Sequence, residues 1–592
     1  MAAAEELGMD SSGDRMRKGE SSYNEGQTGQ GNDWSPPKKN NLLYQVDEDP
    51  PWYLCIFFGF QHFLTMIGGT IATPLIVCRF LCMEESDLGR GYLVSTIIFV
   101  SGIITILQTT LGVRLPIIQG GNFAYLVPTI TLLTTTFPPC DTMNLANMTA
   151  EAKQEVWQVR LRELQGAITV SAIFQVLVGF TGVVGLLLAW ITPLAIVPTI
   201  TLLGLSLYEL GAKQASVHWG IAALTIILMI LFSQYLRDLQ FPIPLCKPGG
   251  GLQVTRFPLF TFLPLLITIC ISWSLCAIMT AYDAIPEGST ARTDFAGSLI
   301  QDAPWFRVPY PGQWGMPTVS VAGVVGVMAG VISSIVESIG DYFACARVAN
   351  VPPPPTHALN RGVGVEGIGC VLAGLFGTSS GTASYSGNIA LVGITRVGSR
   401  SVVLCSGLMM LLFGVFGKFG AVFATLPEPV LGGVLIFVFS VVTAIGLSTL
   451  QYVDLTSSRN LLILGFSIFM GMALPTWLQR HPDAIKTGSI MLDQSLTVLL
   501  QTSMFVGGFL GFFLDNTVPG TDEERGLVSW HENLRQADSS AVSGASSIYD
   551  LPYITTHLRK LKWARYMPVF PTFEGFRRRS SAKDSESGNI PL

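Results

Sequence analysis

The chain has 592 residues, of which 49% are hydrophobic and only 13% charged, and its mean hydropathy is +0.48. Soluble domains are about one quarter charged, so this composition excludes an ordinary soluble protein and favours a polytopic membrane protein. The net charge of −5 gives no basis for nucleic-acid binding, and the ten cysteines contain no CxxC pair, which argues against a zinc site.

The distribution of polar sequence predicts three parts. Residues 1–50 are polar and rich in Gly and Ser, without a cleavable signal peptide, and are expected to be a disordered cytoplasmic tail. Residues 51–530 hold the apolar runs and are expected to form the membrane transporter. Residues 531–592 are expected to be a second cytoplasmic tail.

Apolar runs recur along the chain, seven in each half, which predicts an all-α protein with fourteen transmembrane spans. The first seven are expected at 52–77, 92–109, 119–128, 166–190, 192–208, 218–236 and 258–282. Polar loops are expected at 138–162 and 283–316. The second seven are expected at 317–349, 363–377, 384–397, 401–425, 428–449, 460–478 and 495–514.

The third run of each half is short and interrupted by small or polar residues, as QGGNFAYLVP in the first half and around SYSGNIA in the second. Two halves with seven spans each must insert with opposite topology, which predicts a 7+7 inverted repeat with broken spans 3 and 10. Broken segments at corresponding positions of such repeats are typical of a transporter binding site.

Glu337 and Asp341 are two acids one helical turn apart inside the apolar run that begins the second half. Residues at i and i+4 share one face of a helix. Acids are costly at membrane depth and usually face a cavity or a ligand there. Two carboxylates in one apolar slot repel unless a cation or a donor lies between them, so a sodium ion near Asp341, with Glu337 nearby, is expected.

Asn147 begins an Asn-Met-Thr sequon in the loop after the third span. If it is glycosylated, that loop is outside and the N-terminus is cytoplasmic. Basic residues after spans 6, 8 and 10 and in the C-terminal tail agree with this topology. Cys82 and Cys140 then both lie in outside loops, where the oxidising compartment permits a disulfide, although two free thiols are an equal alternative.

The strings GFQHFLTMIGGTIATPL, ESIGDYFACARVANVPPPPTHALNRG and SGNIALVGITRVGSR resemble the nucleobase–ascorbate transporter family, also called nucleobase:cation symporter-2, over about residues 42–530. The resemblance implies a core domain of spans 1–4 and 8–11, a gate domain of spans 5–7 and 12–14, an elevator mechanism and a homodimer in lipid. It also implies a multi-pass plasma-membrane protein with both termini cytoplasmic. The end of the chain, DNTVPGTDEERG, is most similar to the vertebrate branch.

The chain departs from the vitamin C carriers of that family at the two broken spans. QGGNFAY stands where those carriers read QASAFAF, and SYSGNIA where they read SSSPNIG. Gly387 therefore replaces a proline, and the first string is more similar to nucleobase carriers. We expect a sodium-dependent nucleobase symporter for uracil, thymine and oxopurines, with a sodium-dependent ascorbate transporter as the alternative.

The expected substrate contacts follow from the shape of a nucleobase, in which N–H and C=O groups alternate around a flat ring. Glu337 would accept hydrogen bonds from ring N–H groups, Phe123 would stack on the ring, and Asn388 would donate and accept. Backbone N–H groups at Ala124 and at the start of span 10 would meet the carbonyl oxygens. The remaining expected site residues are His62, Ser386 and Gly387.

Plainer interpretations stay open for several of these residues. Asp341 and Glu337 are alternatively structural acids, His62 a packed histidine, and Phe123 a core residue. The small residues at 378–386 alternatively only allow close helix packing. A channel is disfavoured because no filter repeat is present, and an enzyme because no nucleophile–base or metal-ligand spacing is found.

Overall fold

A computed structural model describes residues 42–143, 147–184, 190, 192–246, 252–257, 259–294, 296–481, 484–527, 548–551, 555, 557 and 560–573. These residues form a largely helical protein with two short two-stranded sheets. Residues 1–41, which make up most of the predicted N-terminal tail, lie outside the described ranges.

The described part of the first half forms nine helices and three strands. In chain order they are α1 (Trp52–Phe80), α2 (Leu88–Thr110), β1 (Gln119–Gly121), α3 (Leu126–Thr136), α4 (Ala150–Thr181), α5 (Pro193–Leu205), α6 (Tyr208–Ala215), α7 (Trp219–Ile230), β2 (Phe241–Cys246), β3 (Leu252–Phe257), α8 (Leu259–Phe262) and α9 (Pro264–Ala281). A 3-10 turn at Phe123–Tyr125 joins β1 to α3, and a π-turn at Leu231–Tyr235 follows α7.

The second half is also mainly helical. Its elements are α10 (Ala296–Asp302), α11 (Val321–Val348), α12 (Thr356–Phe376), β4 (Thr382–Ser384), α13 (Ser386–Thr395), α14 (Arg400–Val415), α15 (Gly417–Ala424), α16 (Glu428–Ser448), α17 (Ser458–Arg480), α18 (Ile490–Gln501) and α19 (Ser503–Thr517). Further 3-10 turns lie at Cys140–Thr142, Thr449–Tyr452 and Lys562–Tyr566.

Within the described ranges, nine helices are long and apolar enough to cross a membrane, or ten if the bent pair α18–α19, with an angle of 81°, counts as one span. The protein is therefore a polytopic helical membrane protein. The other predicted spans correspond to shorter helices: α3, α7 with its π-turn, α13 and α14.

Local sequence explains where several helices begin and end. Thr149 caps α4 by accepting a hydrogen bond from the amide of Ala152 (3.3 Å), and Ser320 caps α11 in the same way with Gly323 (3.0 Å). Gly182 ends α4 in the left-handed region, where a residue without Cβ is favoured. The capped start of α4 is why this helix begins before the predicted span.

The structure refines the expected extent of three stretches. The polar loop expected at 138–162 is mostly helix, because α4 begins at Ala150 and carries its polar first turns outside the apolar stretch. The last residues of the tail expected at 1–50 are ordered: Leu43 donates to the carbonyl of Arg396 (2.7 Å), and Gly398 donates to that of Tyr44 (2.9 Å). The loop expected at 283–316 contains the helix α10.

The helices pack in two groups. In one group α4 packs on α11 and α12, and α14 packs on α1 and α2. In the other α16 packs on α5, α6 and α7, and α19 packs on α5 and α17. The helix α18 contacts both groups because it also lies against α3 and α11. The largest buried apolar cluster belongs mainly to the first group.

A disulfide bond joins Cys82, just after α1, to Cys140, just after α3. Arg160 of α4 reinforces this corner by donating to the carbonyls of Phe80 (3.0 Å) and Pro138 (2.8 Å). The ends of α1 and α3 are thus held to each other and to α4 on the face where the sequence predicts the outside. Asn147 is exposed in the loop that leads into α4.

Candidate functional site

The two broken segments meet as a small antiparallel sheet. Strand β1 pairs with β4 in the register Gln119–Ser384, Gly120–Ala383 and Gly121–Thr382. The pairing continues at both ends, since Asn122 donates to the carbonyl of Gly381 (3.1 Å) and Tyr385 to that of Ile118 (3.0 Å). Strand backbone inside a helical membrane protein must find partners within the protein, and here each broken segment satisfies the other.

A helical segment begins directly after each strand, so two helix N-termini start at this sheet. The 3-10 turn that leads into α3 begins at Phe123, and α13 begins at Ser386. Helix N-termini carry partial positive charge and unpaired N–H groups. Electropositive backbone therefore borders the site from both halves of the chain.

Helix α11 crosses the sheet at close range and brings its acids to it. A Cβ atom at Gly330 would lie only 2.8 Å from the carbonyl oxygen of Ala124, so the helix approaches because this position has no side chain. One turn later Ser334 accepts a hydrogen bond from Asn122 (2.9 Å). Glu337 and Asp341 follow on the same helix, as the sequence predicted.

Asp341 contacts the start of α13. The hydroxyl of Ser386 lies 2.9 Å from one carboxylate oxygen of Asp341 and 3.1 Å from the other. Asp341 is buried, whereas Ser386 is half-buried. The structure therefore brings together two of the predicted site residues, one from α11 and one from the second broken segment.

Asn388 and His62 form a second predicted pair. The amide nitrogen of Asn388 lies 3.0 Å from Nδ1 of His62 and donates to the backbone carbonyl of His62 (2.9 Å). Both side chains are buried. Because Nδ1 of His62 is hydrogen-bonded to the Asn388 side chain, this nitrogen contacts the protein and not a ligand. This contact agrees with the interpretation of His62 as a packed histidine. The amide oxygen of Asn388 has no hydrogen-bond partner among the described residues.

Glu337 and Phe123 are two further predicted site residues. Oxygen Oε2 of Glu337 is buried and lacks a hydrogen-bond partner within the described ranges. Phe123 is half-buried and packs edge-to-face on Phe439 of α16, with ring centroids 5.5 Å apart. Phe123 also packs against the main apolar cluster, so it lies where the two groups of helices meet.

One predicted backbone contact differs in the structure. The amide of Ala124 is not free, because it donates to the side-chain oxygen of Asn122 (2.8 Å), which caps the 3-10 turn. A ligand could use this amide only if Asn122 moved away.

Gly387 is exposed, and a Cβ atom there would lie 3.1 Å from the ring of Tyr385. The ring of Tyr385, which sequence reasoning did not single out, thus borders the site.

Sequence reasoning also missed Glu366, a fully buried acid on α12. Its carboxylate accepts hydrogen bonds from Ser338 (2.5 Å) and Tyr342 (2.8 Å) of α11 and from Ser384 of β4 (3.4 Å). It therefore ties the acidic helix to the second broken segment. The signal was present, because Glu366 is the lone acid in the apolar run at 363–377, and an acid at membrane depth usually faces a cavity or a ligand.

Three acids thus lie at or near the sheet, and hydroxyl groups are the main hydrogen-bond donors to Asp341 and Glu366. Such a site favours binding of a cation or protons, because unpaired carboxylates in an apolar environment are costly. Across the described ranges no cluster of three His, Cys, Asp or Glu side chains is arranged to hold a metal ion. A bound sodium would therefore also need hydroxyl or backbone oxygens.

Taken together, the apolar spans, the paired broken segments and the buried acids define a polytopic membrane protein with a polar site enclosed by helices. A protein-family profile described as "Permease family" matches residues 54–480. The chain belongs to this permease family.

Relatives of this chain are solute carriers, and the protein is a membrane transporter and not an enzyme. It is 47% identical over 567 residues to "Solute carrier family 23 member 2" of Rattus norvegicus, covering 93% of this chain and 87% of the relative. It is 35% identical over 509 residues to "Nucleobase-ascorbate transporter 1" of Arabidopsis thaliana, covering 84% and 93%. The structure of the murine Slc26a9 anion transporter matches with a TM-score of 0.43 and 14% identity, covering 80% of this chain and 69% of that one.

Proposed function

We propose that the protein is a sodium-coupled symporter that takes up nucleobases such as uracil, thymine, xanthine, hypoxanthine and guanine. The observation that carries the proposal is the pair of unsatisfied acceptors, Oε2 of Glu337 and the amide oxygen of Asn388, at a sheet built from both broken segments. Buried acceptors without donors are costly, so they favour a ligand that presents N–H groups.

The proposed contact residues have the chemistry that a planar base requires. Glu337 accepts from ring N–H groups, Asn388 accepts from a further donor, and Phe123 supplies an aromatic face. Gly387 adds no side chain beside Tyr385. In this proposal the missing side chain would leave room for a purine as well as a pyrimidine. Because His62 holds the Asn388 amide, its role in this proposal is to orient Asn388.

Sodium binds at Asp341 in this proposal. Asp341 is buried and has Ser386 as a hydroxyl neighbour on the opposite broken segment. A hard cation prefers oxygen ligands and would offset the charge of the acidic helix. Since Ser386 precedes Asn388 by two residues, an ion at Asp341 would order the segment that also holds the base.

We base a proposal for the whole architecture on the two broken segments and the two groups of helices. The chain would have fourteen spans in a 7+7 inverted repeat, with a core of spans 1–4 and 8–11 that moves as an elevator against a gate of spans 5–7 and 12–14. The edge-to-face contact of Phe123 with Phe439 then joins the mobile core to the gate at the substrate. We further propose a homodimer in the plasma membrane, with cytoplasmic termini and a glycosylated Asn147.

Ascorbate is the second candidate substrate, favoured by one observation. Two helix N-termini begin at the sheet, and their partial positive charge suits an anion. With sodium at Asp341, the negative charge of Glu337 would repel the ascorbate anion less strongly.

Uptake of radiolabelled uracil, xanthine and ascorbate, with sodium or with choline, in cells expressing the wild type tests the proposal. Sodium-dependent, saturable uptake of a base that is not inhibited by ascorbate is expected. Gly387→Pro is the comparison variant. It introduces the residue typical of ascorbate carriers and should reduce base uptake relative to the wild type. If ascorbate is carried with sodium and neither base is carried nor competes, the nucleobase proposal is wrong and the ascorbate proposal replaces it.

A further inference from the structure

The described C-terminal residues, which lie between 548 and 573, do not project away from the protein as a free tail would. Tyr549 is fully buried and belongs to the main apolar cluster, and Leu551, Ala564, Pro568 and Val569 are also buried. A chain that loses conformational entropy in this way must gain specific contacts in return.

Two buried arginines supply the first contacts. Arg361, at the start of α12, donates to the carbonyls of Gly112 (2.7 Å) and Tyr549 (2.6 Å). Arg400, at the start of α14, donates to the carbonyls of Arg114 (2.7 Å) and Ile548 (2.7 Å). Each guanidinium thus joins the loop after α2 to one of two consecutive carbonyls of the C-terminal segment.

These arginines depend on the segment for their hydrogen bonds. Arg400 also forms an ion pair with Asp47, whereas Arg361 donates to the two carbonyls and is only 3% exposed. An arginine has five N–H donors, and leaving them unpaired away from water is costly. Removing the segment would therefore leave a buried cation with fewer partners.

Tyr549 and Pro568 provide two further anchors. The Tyr549 hydroxyl donates to the carbonyl of Pro352 in the proline-rich link between α11 and α12. The carbonyl of Pro568 accepts from the side chain of Asn360 (3.1 Å). A Cβ atom at Gly182 would lie 2.4 Å from Pro568, so the close approach to the end of α4 requires glycine there.

All of these contacts are to helices or loops of one packing group: α2, α4, α11, α12 and α14. We propose that the surface formed by Pro352, Asn360, Arg361 and Arg400 is a docking surface for the described parts of the chain's own C-terminal segment, residues 548–551 and 560–569. The segment is a structural part of the helix group that carries Glu337 and Asp341, and, in the proposed elevator mechanism on which this part rests, it stays with that group when the group moves. The docking does not depend on which substrate is carried.

Hydrogen–deuterium exchange of the purified wild-type protein tests the docking directly. Amides in a peptide covering 548–551 should exchange at least on the order of 100-fold more slowly than in the same synthetic peptide alone, because docking protects them from solvent. Exchange of both at the same rate would overturn the proposal.

A matched pair of variants tests what holds the segment. Tyr549→Ala should accelerate exchange and tryptic cleavage of the C-terminal segment by on the order of 100-fold, because it removes a buried aromatic ring. Tyr566→Ala removes an aromatic ring that is 82% exposed on the same segment and should leave both rates unchanged. Equal rates in Tyr549→Ala and the wild type would overturn the proposal.

Discussion

Gln119 and Ser384 lie 265 positions apart in the chain, yet they face each other in the β1–β4 register and are joined by a hydrogen bond of 3.0 Å from Nε2 of Gln119 to the Ser384 hydroxyl. Ser384 in turn contacts Glu366. The two broken segments therefore have a fixed relationship to each other and to the acidic helix α11, so a change at any of these residues should affect the whole site.

Glu337→Gln should reduce substrate affinity by about one to two decades. The amide replaces one acceptor with a donor, and a buried donor that faces a ring N–H costs roughly 1–3 kcal/mol. Saturation curves for the transported substrate, normalised to the protein at the cell surface, measure the effect. Ile332→Ala, at an exposed position on the same helix, is the control and should leave the affinity unchanged. An unchanged half-saturation constant in Glu337→Gln would remove Glu337 from the site.

Asp341→Asn should raise the sodium concentration needed for half-maximal uptake, because it keeps the size of the side chain and removes its charge. Ser386→Ala is the matched variant: it removes the hydroxyl neighbour but keeps the carboxylate, so its shift should be smaller. Sodium titrations of uptake measure both. If Asp341→Asn reaches the cell surface and retains the wild-type sodium curve, the ion binds elsewhere.

Glu366→Ala should destabilise the protein by about 1–3 kcal/mol or more, because it leaves the hydroxyls of Ser338 and Tyr342 without their shared acceptor. Glu366→Gln retains one acceptor oxygen and should lie between the wild type and Glu366→Ala. Thermal unfolding of the purified protein ranks the three. A Glu366→Ala variant as stable as the wild type would show that the hydroxyls find other partners.

Glu85, in the loop between α1 and α2, should make the folding stability of the protein depend on pH. Burial, and then the nearby Glu428 carboxylate, raise the pKa of Glu85, while Arg90 and Arg79 act in the opposite direction. A raised pKa in the folded state means that the fold favours the neutral carboxyl. Its stabilising contribution is therefore present below the ordinary glutamate pKa of about 4.3 and is lost as the pH rises through the raised value.

Glu85→Gln keeps the neutral form at every pH. Its melting temperature should exceed that of the wild type at neutral pH, and this advantage should disappear in acid, as seen in melting curves across the pH range. Glu287→Gln, at an exposed position in the loop after α9, is the control and should show no such trend. A constant difference between Glu85→Gln and the wild type at all pH values would contradict the expected protonation.

Hydropathy predicted the helical membrane class and both broken segments, and the spacing of Glu337 and Asp341 predicted that they lie on one helix, as they do. These features follow from the local cost of polar groups in an apolar run, which a single sequence displays. The pairing of β1 with β4 could not be predicted, because it depends on which distant backbone groups meet. Ala124 is a different case: its amide was expected to be free, but the side chain of Asn122, two residues earlier, caps it. This contact is local, and Asn is a common N-cap residue, so the sequence could have indicated it.

The strand pairing also has a consequence for biosynthesis. Gln119 leaves the ribosome long before Ser384 does, so β1 has no strand partner while the first half of the chain is being inserted. Contacts between distant positions form late. Until they form, the unpaired strand edges can pair incorrectly. The first half made alone should therefore be a substrate for membrane quality control, and co-translation of the second half as a separate chain should rescue it.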